Sequence, residues 1–595
     1  MIPDLTRRAA LLTGAALAIV PAACATTGGK SATDARLEAL SRRWLEASLR
    51  LDPISATSFG EHRYDDQLTD YGPAGRAARR ALAANTLAEL QRVERAKLSR
   101  ANQVDALTLE NALRYQLWTH DTLQSWAWDP LTYNSAAGGA LYGLMSREFA
   151  PLPVRLRAAT ARLEKLPALL AQTRASLVPA RTPRIHADTV VSQNRGLKSL
   201  VDDQVLAQAG ALPAAERARL QAAATAFKAA LDEHQRWLET TLVPNAKGDF
   251  RLGAELYDAK LAFALNSPLS RAEIRTRAEA GMRRVRAEMY TLASQVLKGR
   301  PGAPATPGAP TSAQEQAAIA AALELAYADK PSRAGLVDAA RETLAQATAF
   351  VRERDLITLP DTPVRIILTP EFQRGVAVAY ADSPGPLDRG QQTFYSVSPI
   401  PDDWTAEQSD SFLREYNTRS LHELTIHEAV PGHYVQLWHS NRYPSTLRAV
   451  LQSEPFIEGW AVYAQDIMAD AGYLGGDPLY KLVHLKWHLR VIANAILDQG
   501  IHVDGMTREA AMKLMVEGAF QQEREAAGKW VRAQLSSAQL PTYFVGWEEH
   551  RALQQEAQRA WGAGYTPKRY HDAVLAFGSP PVRHARQLLL DQPIV

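Results

Sequence analysis

From Thr33 onward, apolar positions recur with a helical period. Leu37, Leu40, Trp44 and Leu45 fall on one face, while Arg36, Glu38, Arg42 and Arg43 fall elsewhere. Stretches rich in Ala, Leu, Arg and Glu follow at 75–120, 154–180, 213–242 and 268–298. These residues favour helix, and β-branched residues are sparse among them. Strand-like runs are few: 364–369, 376–381 and 392–398, punctuated by Ser383-Pro384-Gly385-Pro386. From 404 to 595 the pattern is helical again, with breaks near 431, 472–477, 541 and 579–581. No repeat of fixed period appears, which excludes a solenoid. The pattern predicts an all-α, mainly helical fold with a small antiparallel β-sheet. An edge of that sheet beside a helical site could hold an extended peptide by main-chain hydrogen bonds. The segment 392–398, with Phe394 and Tyr395 on opposite faces, is the expected holder.

A Pro/Gly/Ala-rich segment at 299–315 reads as an exposed loop. It is expected to divide an N-terminal helical half, 33–298, from a C-terminal half, 316–595. Upstream lies a spacer of small residues at 26–32, and before it a different pattern. Arg7 and Arg8 precede an apolar run from Ala9 to Ala23 that is too short for a permanent anchor. Residues 1–25 therefore read as an export signal, similar to the twin-arginine type. Cys24, the only cysteine, follows Pro21-Ala22-Ala23, as at a lipoprotein processing site. Ala23-Cys24-Ala25 also fits ordinary cleavage after Ala25. Either way the mature chain is expected outside the cytoplasm, in the periplasm or as an outer-membrane lipoprotein.

A lone cysteine rules out an intramolecular disulfide and a cysteine zinc cage. The net charge of +3 comes from Lys and Arg spread along the chain, with no basic stripe. That argues against a nucleic-acid partner. Membrane contact is expected only through a lipid on Cys24, and the sequence leaves the oligomeric state open.

Candidate chemistry is concentrated in Leu421-His422-Glu423-Leu424-Thr425-Ile426-His427-Glu428-Ala429-Val430-Pro431-Gly432-His433-Tyr434. Zinc-peptidase helices place two histidines four apart, on one face. Here His433 follows His427 by six residues, about 240° around an unbroken helix. Pro431-Gly432 supplies a breaker that can bring His433 back. Downstream, Glu458 in Glu454-Pro455-Phe456-Ile457-Glu458-Gly459-Trp460 offers a third ligand. Two His and one Glu form a known catalytic zinc set with a position left for water. Glu428 is then the general base that takes a proton from that water. Two alternatives stay open: the string His422-Glu423…His427 in place of His433, and Glu454 in place of Glu458. Further along, Arg490 stands in an apolar run, so it is either paired in the interior or reaching a cleft. Asp498 and His502, four apart, could pair, and His502 could donate to substrate or cap a helix end.

The string His427-Glu428-Ala429-Val430-Pro431-Gly432-His433, with Gln436 after it and Phe456-Ile457-Glu458-Gly459-Trp460-Ala461 downstream, resembles the bacterial family known as domain of unknown function 885. That family is similar in arrangement to the gluzincin peptidases, such as thimet oligopeptidase and the thermostable carboxypeptidases. The resemblance covers most of the mature chain and is most specific from about 380 to 580. It implies a two-lobed helical fold around a deep central cleft, with zinc at the residues named. It supplies no substrate. Arg532 and Pro541-Thr542-Tyr543-Phe544-Val545-Gly546 match the family's Arg…Tyr-x-x-Gly pattern, and Tyr543 is the preferred oxyanion donor. Tyr434 stands where family members often carry a second His, and Ser537 where they carry Pro. His571, Asp572 and Gly578 also match, in structural roles.

The expected activity is zinc-dependent hydrolysis of short peptides, with exopeptidase and endopeptidase both open. The alternatives are a non-catalytic metal- or peptide-binding lipoprotein and a zinc hydrolase of a non-peptide amide. Glu428 beside a ligand His favours an enzyme, since a binding module needs no base there.

Overall fold

The computed structural model describes residues 31–369 and 378–595. The export signal, Cys24 and most of the 26–32 spacer lie outside the described residues, as do positions 376 and 377 of the second strand-like run. The first helix, Ala32–Leu51, is capped by Ser31, whose Oγ accepts from the Asp34 amide. Its predicted face is buried at Leu37, Leu40 and Trp44. The other helical stretches appear as Pro73–Leu90 and Arg100–Trp118, Leu152–Ser176, Ala214–Trp237 and Arg271–Leu297. We label the last of these α1. No described helix is long and apolar enough to cross a membrane.

Three short strands interrupt the helices: β1 (Arg365–Leu368), β2 (Ala379–Asp382) and β3 (Phe394–Val397). Their order is β1-β3-β2. β2 runs antiparallel to β3, with Ala379 opposite Val397, but β1 is parallel to β3, with Arg365 opposite Phe394. The sheet is therefore mixed, not purely antiparallel. The chain reverses twice between β1 and β3, so those two point the same way when β3 inserts between its predecessors. That insertion also corrects the expected peptide holder. Both edges of β3 are already paired, and Tyr395, Ser396 and Val397 are buried. The edge that faces the cleft belongs to β2.

The segment between Leu297 and Ser312 is a loop, but the core does not divide there. A continuous apolar cluster runs from Tyr257 through α1 to Ala585. A separate cluster, from Ile54 to Leu231, belongs to the earlier helices. The packing boundary lies between these clusters, ahead of the predicted loop. The first helices also fasten directly to the last part of the chain. Leu37 and Leu109 share a cluster with Leu447. The fully buried Arg448 guanidinium donates to Asp105 Oδ1 and to the Ala101 carbonyl. Arg100 donates to the carbonyl oxygens of Gln587 and Gln592.

Candidate metal centre and cleft

Helix α2 (Thr418–Glu428) is capped by Asn417, whose side chain accepts from the Arg419 and Ser420 amides. Every residue from Ser420 to Glu428 is buried, so this helix passes through the core instead of lying on it. It stops at Ala429, and α3 (His433–Ser440) begins four residues later. In the break, the Gly432 amide donates to the Ile426 carbonyl at 2.9 Å. A Cβ on Gly432 would stand 2.0 Å from the His427 carbonyl oxygen, so only glycine allows the chain to fold back this tightly. The predicted breaker thus brings His433 against His427, with ring centroids 4.8 Å apart.

Helix α4 (Glu454–Asp470) supplies the third group and also secures the break. Trp460 Nε1 donates to the Pro431 carbonyl at 3.0 Å. Two residues earlier, Glu458 Oε2 lies 3.6 Å from His427 Nε2 and 3.4 Å from His433 Nε2. Between them, Gly459 meets Gly546 of α7 (Pro541–Trp561) backbone to backbone. Tyr543, one turn before Gly546, is thereby carried to the same place, its ring 6.3 Å from that of His427 and nearly parallel to it. The Glu-Gly-Trp and Tyr-x-x-Gly strings are two halves of one helix crossing.

These residues fit a zinc ion. The three candidate ligand atoms all lie within 4.8 Å of one another. Ligands ~2.0–2.1 Å from a tetrahedral zinc stand roughly 3.3 Å apart, close to the spacing seen here. Glu458 Oε2 is buried and receives no hydrogen bond among the described residues. Burial alone would raise the Glu458 carboxyl, but the two imidazoles outweigh it and hold it well below the usual range. Burial also lowers the tendency of His433 to protonate, and the Glu458 carboxylate reverses that, for a net rise. The centre is strongly cation-attracting.

Glu428 is not part of this triad. Its Oε2 accepts from the Ala381 amide of β2 at 3.1 Å, which fixes it at the cleft floor next to the ligands. Burial raises its carboxyl, more than the two histidines lower it. Tyr543 is pushed up to about 12 by burial and by Glu458, so it stays a hydrogen-bond donor at neutral pH. Arg532, on α6 (Glu523–Leu535), donates to the Tyr543 hydroxyl at 3.3 Å. His427, Glu428, His433, Glu458 and Tyr543 all line one cleft of about 890 Å³.

Other expectations fare differently. The alternative string fails: His422 is buried against Tyr473, its Nδ1 2.9 Å from that hydroxyl, and it is absent from the cluster. Glu454 opens α4 and is also outside it. His502 is not a substrate group. It ends α5 (Pro478–His502) fully buried, with Nε2 donating to the Ala533 and Ser536 carbonyls, and it does not line the cleft. Asp498 Oδ2 accepts from Tyr257 and the Ala538 amide instead of from His502. Arg490 does reach the cleft wall, but Glu525 and Glu415 hold its guanidinium, which removes it as a free oxyanion donor. Tyr434 points away, donating to the Thr362 carbonyl. His571 hydrogen-bonds the Leu356 carbonyl at 2.8 Å, as its structural role requires.

Sequence reasoning missed three features. One is the Ala381 amide, which has no side-chain signature. Another is Lys529 in the cleft wall, which was legible only as part of Glu525, Lys529 and Arg532 on one helix face. The third is a buried cluster of Asp466, His484 and His488. His484 lies between Glu423 and Asp466, 3.3 Å from each, and Asp466 also accepts from Trp547 Nε1 and pairs with Arg551. Burial would lower His484, yet the two carboxylates push it up to about 10. His488 Nε2 also lies 2.9 Å from Asp466, so two imidazoles and the Arg551 guanidinium face the two carboxylates. Glu423 precedes His427 by four residues, Asp466 follows Glu458 by eight, and Trp547 follows Tyr543 by four. The network therefore ties together α2, α4 and α7, which carry His427, Glu458 and Tyr543.

Comparison with known proteins places the fold. No curated protein matches the chain. Among solved structures, "a putative lipoprotein of unknown function from Shewanella oneidensis" is 33% identical with a TM-score of 0.77, over 93% of this chain and 99% of that one. "The putative lipoprotein from Colwellia psychrerythraea" is 17% identical with a TM-score of 0.76, over 94% of this chain and 100% of that one, and shares the fold. A family model described as bacterial protein of unknown function, DUF885, matches residues 53–589, and the chain belongs to that family.

Proposed function

We propose that the protein is a zinc-dependent hydrolase of short peptides. The observation that carries the reading is the Glu458 carboxylate: a buried oxygen without a hydrogen-bond donor, set against two imidazoles, with a second carboxylate, Glu428, beside them. His427, His433 and Glu458 would hold the zinc. When bound, zinc supplies a Lewis acid and lowers the pKa of water at the site to ≈ 7.

The remaining work falls to the chain itself. Glu428 accepts a proton from the attacking water and delivers it to the leaving amine. Its bond to the Ala381 amide aims the carboxylate while leaving Oε1 for the water. Tyr543 donates to the oxygen on which negative charge develops, and Arg532 behind it favours that charge. The β2 edge, whose other side is taken by β3, aligns the substrate main chain. The deep cleft excludes folded domains. The two-lobed, gluzincin-like arrangement and a site of action outside the cytoplasm, with Cys24 carrying lipid, belong to the same proposal. The Shewanella oneidensis structure, 33% identical, carries the description "putative lipoprotein".

The test combines metal analysis with a peptide-library digest read by mass spectrometry. One zinc per chain and cleavage that disappears in Glu428→Gln are the expected results. A zinc-loaded protein that cleaves no peptide would leave the binding-lipoprotein reading in its place.

A further inference from the structure

The cleft wall beyond Tyr543 carries more positive charge than the fold neutralises. Helix α6 turns Glu525, Lys529 and Arg532 towards the cleft, spaced by four and three residues. Glu525 is consumed by Arg490 of α5 and also accepts from Tyr416. That leaves Lys529 and Arg532. Lys529 is only 5% exposed, yet among the described residues it makes no hydrogen bond or ion pair. Arg532 reaches only neutral oxygens, Gln539 Oε1 at 3.4 Å and Tyr543 Oη at 3.3 Å. Burying a cation without an anion is costly, and proteins normally pair it. Burial, together with Arg490 and Arg532, holds the Lys529 ammonium well below the usual lysine range, and the Glu525 and Glu415 carboxylates, engaged by Arg490, offset this only in part.

The order of groups along the wall gives the anion its place. His427 is stacked by Tyr543, Tyr543 is bonded by Arg532, and Lys529 sits one turn before Arg532 on the same helix. The β2 edge and Glu428 line the same cleft, with the Ala381 amide holding the Glu428 carboxylate beside the metal ligands. A peptide laid across the centre therefore continues past Tyr543 towards α6. An extended residue spans ~3.3–3.6 Å, so one or two residues reach from the scissile bond to the two cations.

We propose that Lys529 and Arg532 bind the free C-terminal carboxylate of the substrate, making this an exopeptidase that removes one or two residues from the C-terminus. This rests on the zinc-peptidase reading. A carboxylate suits the place, because Arg532 presents a planar fork that matches it and Lys529, one turn earlier on the same helix, adds a further donor.

The test reads binding, so that it does not depend on turnover. Zinc-loaded Glu428→Gln protein is titrated calorimetrically with tetra-alanine as the free acid, tetra-alanine amide, and Ala-Ala-Ala-Glu amide. The free acid is expected to bind at least tenfold more tightly than either amide. Lys529→Met and Arg532→Gln should each shrink that ratio severalfold, while Lys529→Arg should keep it. Equal affinity for acid and amide overturns the proposal. So does tight binding of the Glu amide, which would assign the cations to an acidic side chain. The two readings fail separately. Wild-type hydrolysis of acid and amide at equal kcat/KM overturns the carboxylate anchor and leaves the peptidase standing. Acid-selective binding with no hydrolysis of any peptide supports the anchor and overturns the peptidase.

Discussion

Gly459 and Gly546 touch backbone to backbone where α4 crosses α7. A Cβ on Gly546 would stand 1.9 Å from the Pro455 carbonyl oxygen, and one on Gly459 would stand 2.2 Å from the Gly546 carbonyl carbon. This crossing sets Glu458 and Tyr543 at their distance from one another. Gly546→Ala should therefore push the helices apart, at a cost of about 1–3 kcal/mol or more, as for other overpacked cores. Thermal unfolding of the variant should show a lower Tm and weaker zinc retention. An unchanged Tm would mean that the crossing yields freely and does not position the site.

Removing one ligand should remove the metal. His433→Ala and Glu458→Ala are expected to lose zinc on dialysis, whereas His422→Ala keeps it, because His422 is occupied by Tyr473. Glu428→Gln should keep zinc and fold but lose about 10²–10⁴-fold in kcat, the usual contribution of a general base. Elemental analysis checks the first statement and steady-state kinetics the second. Wild-type turnover by Glu428→Gln would end its role in water activation.

Tyr543→Phe deletes one hydroxyl in a packed setting. If that hydroxyl donates to the developing oxyanion, kcat should fall about 10²–10³-fold with KM nearly constant. A rise in KM alone would make Tyr543 a substrate-packing residue.

Much of the centre was legible in the chain because its geometry is local. The six-residue spacing of His427 and His433 demanded a break, and Pro431-Gly432 provided it. Helix type followed from apolar periodicity over long stretches. What was not legible depends on elements far apart in sequence. Whether β1 runs parallel to β3 is decided by the insertion of one strand between two others, which no local pattern encodes. The sequence left His502 open between donating to substrate and capping a helix end, because the Ala533 and Ser536 carbonyls that its Nε2 meets lie more than thirty residues away. The Ala381 amide at Glu428 is invisible by nature, since a backbone donor carries no residue identity.

The His484 network makes a pH prediction. Its folded-state pKa, about 10, exceeds the ordinary value of 6.5. The contribution of the imidazolium is therefore fully present below about pH 6.5 and is lost as pH rises through 10. His484→Ala leaves Glu423 and Asp466 buried without it and should cost about 3–5 kcal/mol near neutral pH. Urea midpoints of wild type and variant should converge from pH 6.5 to 10. A gap that stays constant over that range would show that His484 acts through packing alone.

The bonds from Arg100 to the carbonyls of Gln587 and Gln592, and from Arg448 to Asp105, bear on how the protein is made. The amino-terminal helices emerge from the ribosome long before their partners have been translated. A contact between positions 100 and 587 carries a large loop-closure entropy and cannot form until position 587 has been translated. Until then, the buried faces of those first helices stay open to chaperones and to aggregation. The early part of the chain is clasped at two places far along the sequence, around Arg448 and around Gln587.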